Sequence, residues 1–252
     1  LRVVEPIKIY TNFNLRGKVN SLILLAGGSG KRAQQNIPKQ FIELDGEKKM
    51  RLMYLQYPYT NVKNVNFDEV IIVTPSEWKD TITKELSCTN INVTCKVVEG
   101  GYTRSESSYL GLQACSLSCK KVLIHDAARP FVSKEIYNSC IEYLSRYDSV
   151  VPIIKSKDTS VYFDSPKDMN FINRDKMRLV QTPQAFKYDM IMEAYKNQKD
   201  GKTDDLQILL NYKPEATIKF IEGSEKNFKI TTREHIDIIK KLFKIDKHHL
   251  LY

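Results

Sequence analysis

Long apolar runs are missing from this chain of 252 residues. No segment approaches ~18 uninterrupted apolar positions, so no helical membrane span is expected. Cysteine is scarce and unpaired: the five, at 88, 95, 115, 119 and 140, are odd in number and include no CxxC. That pattern argues against a disulfide framework and against a zinc site, and leaves Cys115 and Cys119 expected one turn apart on a helix as buried or half-buried thiols. Acidic residues are outnumbered, 30 against 39 Lys and Arg, for a formal charge of +9. The excess is spread over stretches such as Lys240-Lys241, Lys244 and Lys247, with no basic block and no aromatic stripe beside it. Nucleic acid is therefore not the expected partner; an anionic small substrate is. Tryptophan occurs once, at Trp78, expected to pack a helix start onto a sheet. No repeat, low-complexity tract or linker divides the chain, and 42% hydrophobic content is ample for a core, so a single domain is expected.

An initiator methionine and a signal-peptide pattern are also lacking. Residues 1–20 read as an amino-terminal extension before a domain over 21–252, and the start at Leu1 raises the expectation of a removed upstream segment. Together with the lysine, asparagine, tyrosine and isoleucine bias, this suggests a plastid-like organelle, with a bacterial cytoplasm as the alternative.

What is present alternates short apolar strands with helical patterns, which argues for βα units and a mostly parallel sheet. Strands are expected at Leu22–Ala26, Glu69–Val73, Cys95–Glu99, Val122–His125, Ser149–Ile154, Leu179–Thr182 and Ile218–Ile221. Helices are expected near Ser76–Leu86, Arg104–Ser116, Lys134–Ser145, Tyr188–Asn197, Asp204–Leu210 and Thr232–Phe243, the last opened by a capping box of Thr231 and Glu234. The polar stretch from Ser156 to Met177 breaks this rhythm and reads as a hairpin leaving the body of the domain, of the kind that meets a partner subunit.

The first strand runs into Ala26-Gly27-Gly28-Ser29-Gly30-Lys31-Arg32, and Pro38-Lys39-Gln40-Phe41 follows. Glycines let backbone N–H groups approach an anion, and Lys31, Arg32 and Lys39 can neutralise a triphosphate. The spacing is neither that of a Walker loop nor that of the dinucleotide fingerprint, and an ordinary βα turn with basic residues has the same look. Further motifs decide the matter: Glu99-Gly100-Gly101-Tyr102-Thr103-Arg104 continuing to Ser108, then Val122-Leu123-Ile124-His125-Asp126-Ala127-Ala128-Arg129-Pro130-Phe131. The second places a carboxylate at the carboxyl end of a buried strand, where open α/β sheets bind ligands. Later come Lys157-Asp158-Thr159, Gln181-Thr182-Pro183-Gln184, Thr203-Asp204-Asp205 and Asn227-Phe228-Lys229-Ile230-Thr231.

In this order and spacing the motifs, from Leu22 to Phe243, resemble the 2-C-methyl-D-erythritol 4-phosphate cytidylyltransferase family of the non-mevalonate isoprenoid pathway. The resemblance implies a single-domain, Rossmann-like α/β nucleotidyltransferase fold, its mostly parallel sheet flanked by helices, with a protruding β-arm at about 156–177 for homodimerisation. It implies transfer of CMP from CTP to methylerythritol phosphate with release of pyrophosphate. The sugar-alcohol phosphate cytidylyltransferases that use ribitol or glycerol phosphate are the alternative. Arg32, Lys39, Lys229 and Asp126 are then the catalytic positions, and Ala26, Gly27, Gly28, Ser29, Gly30, Gly101, Ser107 and Ala127 hold CTP. Arg129, Thr159, Arg174, Thr182 and Thr203 resemble the acceptor site, with Thr159 and Arg174 crossing into the partner's site. Mg²⁺ is implied, held mainly through the CTP phosphates with Asp126 as its protein ligand. His125 is expected to point away from the site as a packed core residue. Two departures stand out: Tyr102 replaces a usual acidic residue, and Pro58 shortens the helix expected over 46–61.

Overall fold

The computed structural model describes residues 8–9, 19–27, 38–42, 65, 67–87, 93–198 and 204–245. The main sheet contains β1 (Lys8–Ile9), β2 (Val19–Leu25), β3 (Glu69–Thr74), β4 (Thr94–Glu99), β5 (Cys119–Asp126), β6 (Ser149–Lys155), β9 (Arg178–Val180), β10 (Gln184–Lys187) and β11 (Ile218–Glu222). Their order is β1-β4-β3-β2-β5-β10-β6-β11, with β9 pairing to the outer half of β6. Strands β2, β3, β4 and β5 run parallel, as do β6 and β11, while β10 lies antiparallel between β5 and β6.

Helices α1 (Ser76–Ser87), α2 (Arg104–Gln113), α3 (Lys134–Tyr143), α4 (Tyr188–Lys196), α5 (Asp205–Tyr212) and α6 (Arg233–Ile245) complete the layers. The pleat of β2 explains its unbroken apolar run. Leu22, Leu24 and Ala26 enter one core cluster, Ile23 and Leu25 the other, so helices must cover both faces. Each such leucine or isoleucine contributes about 1.5–3 kcal/mol by burial. Helix α2 lies close on the second face: a Cβ at Gly111 would sit 2.6 Å from Ile23 Cγ2. That contact seats the carboxyl half of α2 on the middle of β2.

Trp78 stacks on Phe41 with ring centroids 4.4 Å apart, packing the start of α1 as expected. Among the described residues the two-stranded hairpin of β7 (Ser160–Ser165) and β8 (Asp168–Ile172) pairs only with itself, and leaves Tyr162, Phe163, Met169 and Phe171 exposed. Residues 8–9 of the expected extension pair antiparallel with the edge strand β4. Residues 46–61 lie outside the described residues.

Three sequence expectations need correction. The strand expected at Leu179–Thr182 is a three-residue exposed edge, Arg178–Val180, and the buried central strand is Gln184–Lys187, past the cis Thr182–Pro183 bond. Apolar content favoured Leu179-Val180, whereas the sheet buries Ala185 and Phe186. The box expected at Thr231 and Glu234 is displaced by one residue: α6 begins at Arg233 and the Thr232 hydroxyl accepts from His235 N–H at 3.5 Å. A complete capping box opens α2 instead, from Thr103 and Glu106. Finally, α2 ends at Gln113, so Cys115 follows the helix and Cys119 opens β5. Both thiols are buried, beside the fully buried Glu69. These three form a group with metal-like spacing among the described residues. However, Glu69 already accepts from Lys96 Nζ at 2.9 Å, the Ser116 N–H at 2.8 Å and the Ser21 hydroxyl at 2.6 Å, which makes it a structural ion pair.

Candidate active site

Strand β5 ends at Asp126, in register with Leu25 at the end of β2. Its carboxylate is almost fully buried, yet three cations converge on it. Lys229 Nζ lies 2.8 Å from Oδ2, Arg104 Nε 3.3 Å from Oδ1 and Arg129 Nε 3.8 Å from Oδ2. Burial alone would push this carboxyl up, but the charges of Arg104, then Lys229 and Arg129, outweigh it and hold the group well below the usual carboxylate range. Asp126 is therefore an anion at every physiological pH.

Arg104 comes from the first turn of α2 and reaches a second carboxylate, Asp205 Oδ2, at 2.8 Å. Asp205 opens α5, is fully buried, and takes the Tyr195 hydroxyl on its other oxygen. Burial depresses the Arg104 guanidinium, and Asp205 and Asp126 more than restore it, leaving it raised. Burial likewise lowers Arg129, against the attraction of Asp126. The chain Tyr195–Asp205–Arg104–Asp126–Lys229 thus links α4, α5, α2, β5 and the segment before α6.

Behind Asp126 the backbone is fixed by Thr182, whose hydroxyl accepts from the Asp126 N–H at 3.1 Å and bonds His125 Nδ1 at 2.9 Å. His125 points away from the cluster, as expected from strand alternation. It is fully buried against Tyr137, bonded through Nε2 to the Arg129 carbonyl, and burial lowers its pKa to about 4, so it is neutral. A neutral imidazole with both nitrogens engaged has no free site for acid–base work.

The wall expected to hold the nucleotide forms where β2 and β4 end. The Gly101 N–H donates to Ser107 Oγ at 3.1 Å, and Ser107 is almost fully buried. Gly101 is needed because a Cβ there would lie 2.3 Å from Glu106 Cβ, the partner in the capping box. From the other side, a Cβ on Gly27 would lie 3.4 Å from the same hydroxyl. Gln40 donates its amide to the Ala26 carbonyl, tying the 3-10 turn Lys39–Phe41 to the end of β2.

The structure therefore brings Ala26, Gly27, Gly101 and Ser107 together along one wall, and Asp126, Arg129, Thr182 and Lys229 along another. Ala127 gives its N–H to the Leu25 carbonyl and its methyl to the core. Thr159 and Arg174 stand apart, exposed at the base of the hairpin. There Arg174 lines a cleft of about 680 Å³ with Lys155, Lys157 and Arg178, and donates to the Lys157 carbonyl at 3.5 Å. Gly28, Ser29, Gly30, Lys31, Arg32 and Thr203, and the side chain of Lys39, lie outside the described residues.

Sequence reasoning missed Arg104 and Asp205. Both sit inside motifs it singled out, yet nothing in the string separates them from solvated surface charges. Only their joint burial does.

A mostly parallel sheet that gathers glycine backbone and excess cation at its carboxyl edge, with no activated nucleophile among the described residues, fits a nucleotidyltransferase. A sequence profile described as 2-C-methyl-D-erythritol 4-phosphate cytidylyltransferase matches residues 20–243. The chain belongs to that family. Among its relatives, the protein of that name from Clostridium botulinum strain 657 is 36% identical over 237 residues, covering 88% of this chain and 98% of its own. That from Clostridium beijerinckii is 37% identical over 223 residues, covering 86% and 94%. The solved 4-diphosphocytidyl-2C-methyl-D-erythritol synthase of Anaerococcus prevotii superposes with TM-score 0.78 at 30% identity, covering 90% of this chain and 99% of the other. The solved 2-C-methyl-D-erythritol 4-phosphate cytidylyltransferase of Thermus thermophilus gives a TM-score of 0.66 at 26% identity, covering 90% of this chain and 99% of the other. These relatives are bacterial, and no helix among the described residues is long and apolar enough to cross a membrane.

Proposed function

We propose that the chain transfers CMP from CTP to 2-C-methyl-D-erythritol 4-phosphate, forming 4-diphosphocytidyl-2-C-methyl-D-erythritol and pyrophosphate. The observation that carries this reading is the convergence of Lys229, Arg104 and Arg129 on one ionised carboxylate beside the Gly27–Ser107 wall. An acceptor phosphate oxygen attacks the α-phosphorus of CTP, so negative charge grows at five-coordinate phosphorus and on the departing pyrophosphate. Fixed cations stabilise that change more than they stabilise the ground state. The Lys229 ammonium has three donors and spends one on Asp126, leaving two for phosphate oxygens. No general base is required, because the attacking phosphomonoester is already ionised. The neutral, buried His125 fits that economy.

Magnesium fits the donor set: Asp126 is a hard oxygen ligand held ionised, and a triphosphate supplies further oxygens. Bound there, Mg²⁺ would neutralise phosphate charge and pull the leaving pyrophosphate's electrons. Small residues around Ser107 favour a pyrimidine edge. The acceptor site is completed by a second copy. The hairpin of β7 and β8 exposes an apolar face that it cannot bury at home, and it carries Thr159 and Arg174 at its base. A guanidinium can grip the acceptor phosphate bidentately. The bacterial relatives are consistent with a bacterial cytoplasm, the alternative to a plastid-like organelle. Pyrophosphate release from CTP and methylerythritol phosphate, dependent on both substrates, tests the proposal; CTP turnover unaffected by the acceptor counts against it.

A further inference from the structure

We infer that Asn227, braced by Gln181, is the positioning residue whose side chain aims Lys229 at the transferred phosphate. The inference rests on the functional reading above. It starts from three chain segments that must meet behind the cation cluster: the end of β5, the β9–β10 connection and the loop before α6.

Asn227 is fully buried and joins all three. Its Nδ2 donates to the Thr182 carbonyl at 2.8 Å, its own carbonyl accepts from the Arg129 guanidinium at 2.8 Å, and its N–H donates to the Ser224 carbonyl at 3.0 Å. Gln181 closes the loop around it. Gln181 Nε2 donates to the carbonyls of Ser224 at 2.8 Å and Asn227 at 3.3 Å, and Oε1 accepts from the Ser224 N–H at 3.1 Å. Two residues on, Lys229 reaches Asp126, and the next N–H, from Ile230, is fixed on the Ala128 carbonyl at 2.8 Å. Lys229 is thus held between two anchored backbone points. One of those anchors also orients Arg129.

The Asn227 side chain is not tuned for stability. Its Oδ1 is buried without a hydrogen-bond partner among the described residues, a condition that destabilises a fold. The 2.8 Å contact of Nδ2 with a carbonyl fixes which end of the amide is which, so rotating it would only place two acceptors together. An apolar side chain of similar size would remove the unpaired acceptor and lose the direction given to the loop. Direction is what the site gains from Asn227.

The test is a pair of double-mutant cycles, Asn227→Leu and Gln181→Met, each alone and combined with Lys229→Ala. Asn227→Leu should lower kcat about thirtyfold or more while the Tm stays within a few degrees, since a small misplacement of a catalytic group costs up to about a hundredfold. Because Asn227 acts through the lysine, the double variant should turn over within about twofold of Lys229→Ala alone. Gln181→Met should show a smaller loss with the same non-additivity, and it carries the test if Asn227→Leu does not fold. Multiplicative losses in the double variants, or a kcat for both single variants within about twofold of the parent, would overturn the inference. Calorimetric titration with inorganic triphosphate and Mg²⁺ repeats the cycle without any acceptor. Weakened binding by Asn227→Leu that vanishes in the Lys229→Ala background supports the positioning role even if the parent transfers nothing to methylerythritol phosphate, an outcome that would fall on the functional reading alone.

Discussion

Replacing Arg104 by Met removes the guanidinium that bridges Asp126 and Asp205 and keeps a side chain of similar length. Asp126 retains Lys229 and Arg129, but Asp205 is fully buried and keeps only the Tyr195 hydroxyl among the side-chain partners described above. Breaking a buried pair on one side leaves an uncompensated charge and costs about 3–5 kcal/mol. Arg104 is itself about a quarter exposed, with 24% of its side chain accessible, which points to the lower end. For a domain of this size each kcal/mol lowers the Tm by about 2–4 °C, so a fall of about 6–12 °C follows. Thermal unfolding monitored by circular dichroism measures it. Adding Asp205→Asn should restore most of the loss, because the stranded charge is gone. A Tm within about 2 °C of the parent for Arg104→Met, or no recovery in the double variant, would refute the reasoning.

His125 gives a pH signature. Burial lowers its pKa from 6.5 to about 4, so the unfolded chain takes up the proton first as pH falls. Its contribution, about 3 kcal/mol, is present above pH 6.5 and is lost between pH 6.5 and 4; urea midpoints of His125→Gln should show a shallower slope there, and an unchanged slope would contradict it. Lys229→Ala should cut kcat about a hundredfold or more with the fold intact, as loss of one preorganised donor costs roughly 3 kcal/mol; activity within about fivefold of the parent removes its charge-stabilising role. Arg174→Ala should raise the acceptor KM and leave CTP binding nearly unchanged. Mixed with Lys229→Ala chains it should regain activity, because half of the shared sites in heterodimers then carry neither defect. No recovery after confirmed subunit exchange argues against a shared site.

Burial on both faces wrote β2, β3, β5 and β6 into the sequence as apolar runs, and their helices were legible from periodicity. Strand β10 was not, because four residues with one aromatic carry no period. Its place depends on the gap between β5 and β6, which is a property of the whole sheet. Within the site, Asp126, Lys229 and Ser107 were legible because motif order identifies them, and His125 because strand alternation assigns its face. Arg104, Asp205 and Asn227 were not. A buried charge and a buried amide are recognisable only by what surrounds them, and their partners lie 101 residues away for Arg104 with Asp205, and 98 for Arg129 with Asn227.

The most direct measurement of the central claim is a competition followed by ³¹P NMR, with CTP, Mg²⁺ and equal concentrations of methylerythritol 4-phosphate and ribitol 5-phosphate. The account predicts that the methylerythritol phosphate resonance is consumed and replaced by a cytidine diphosphate ester in step with pyrophosphate, while ribitol phosphate persists. Equal or preferential consumption of ribitol phosphate would contradict it.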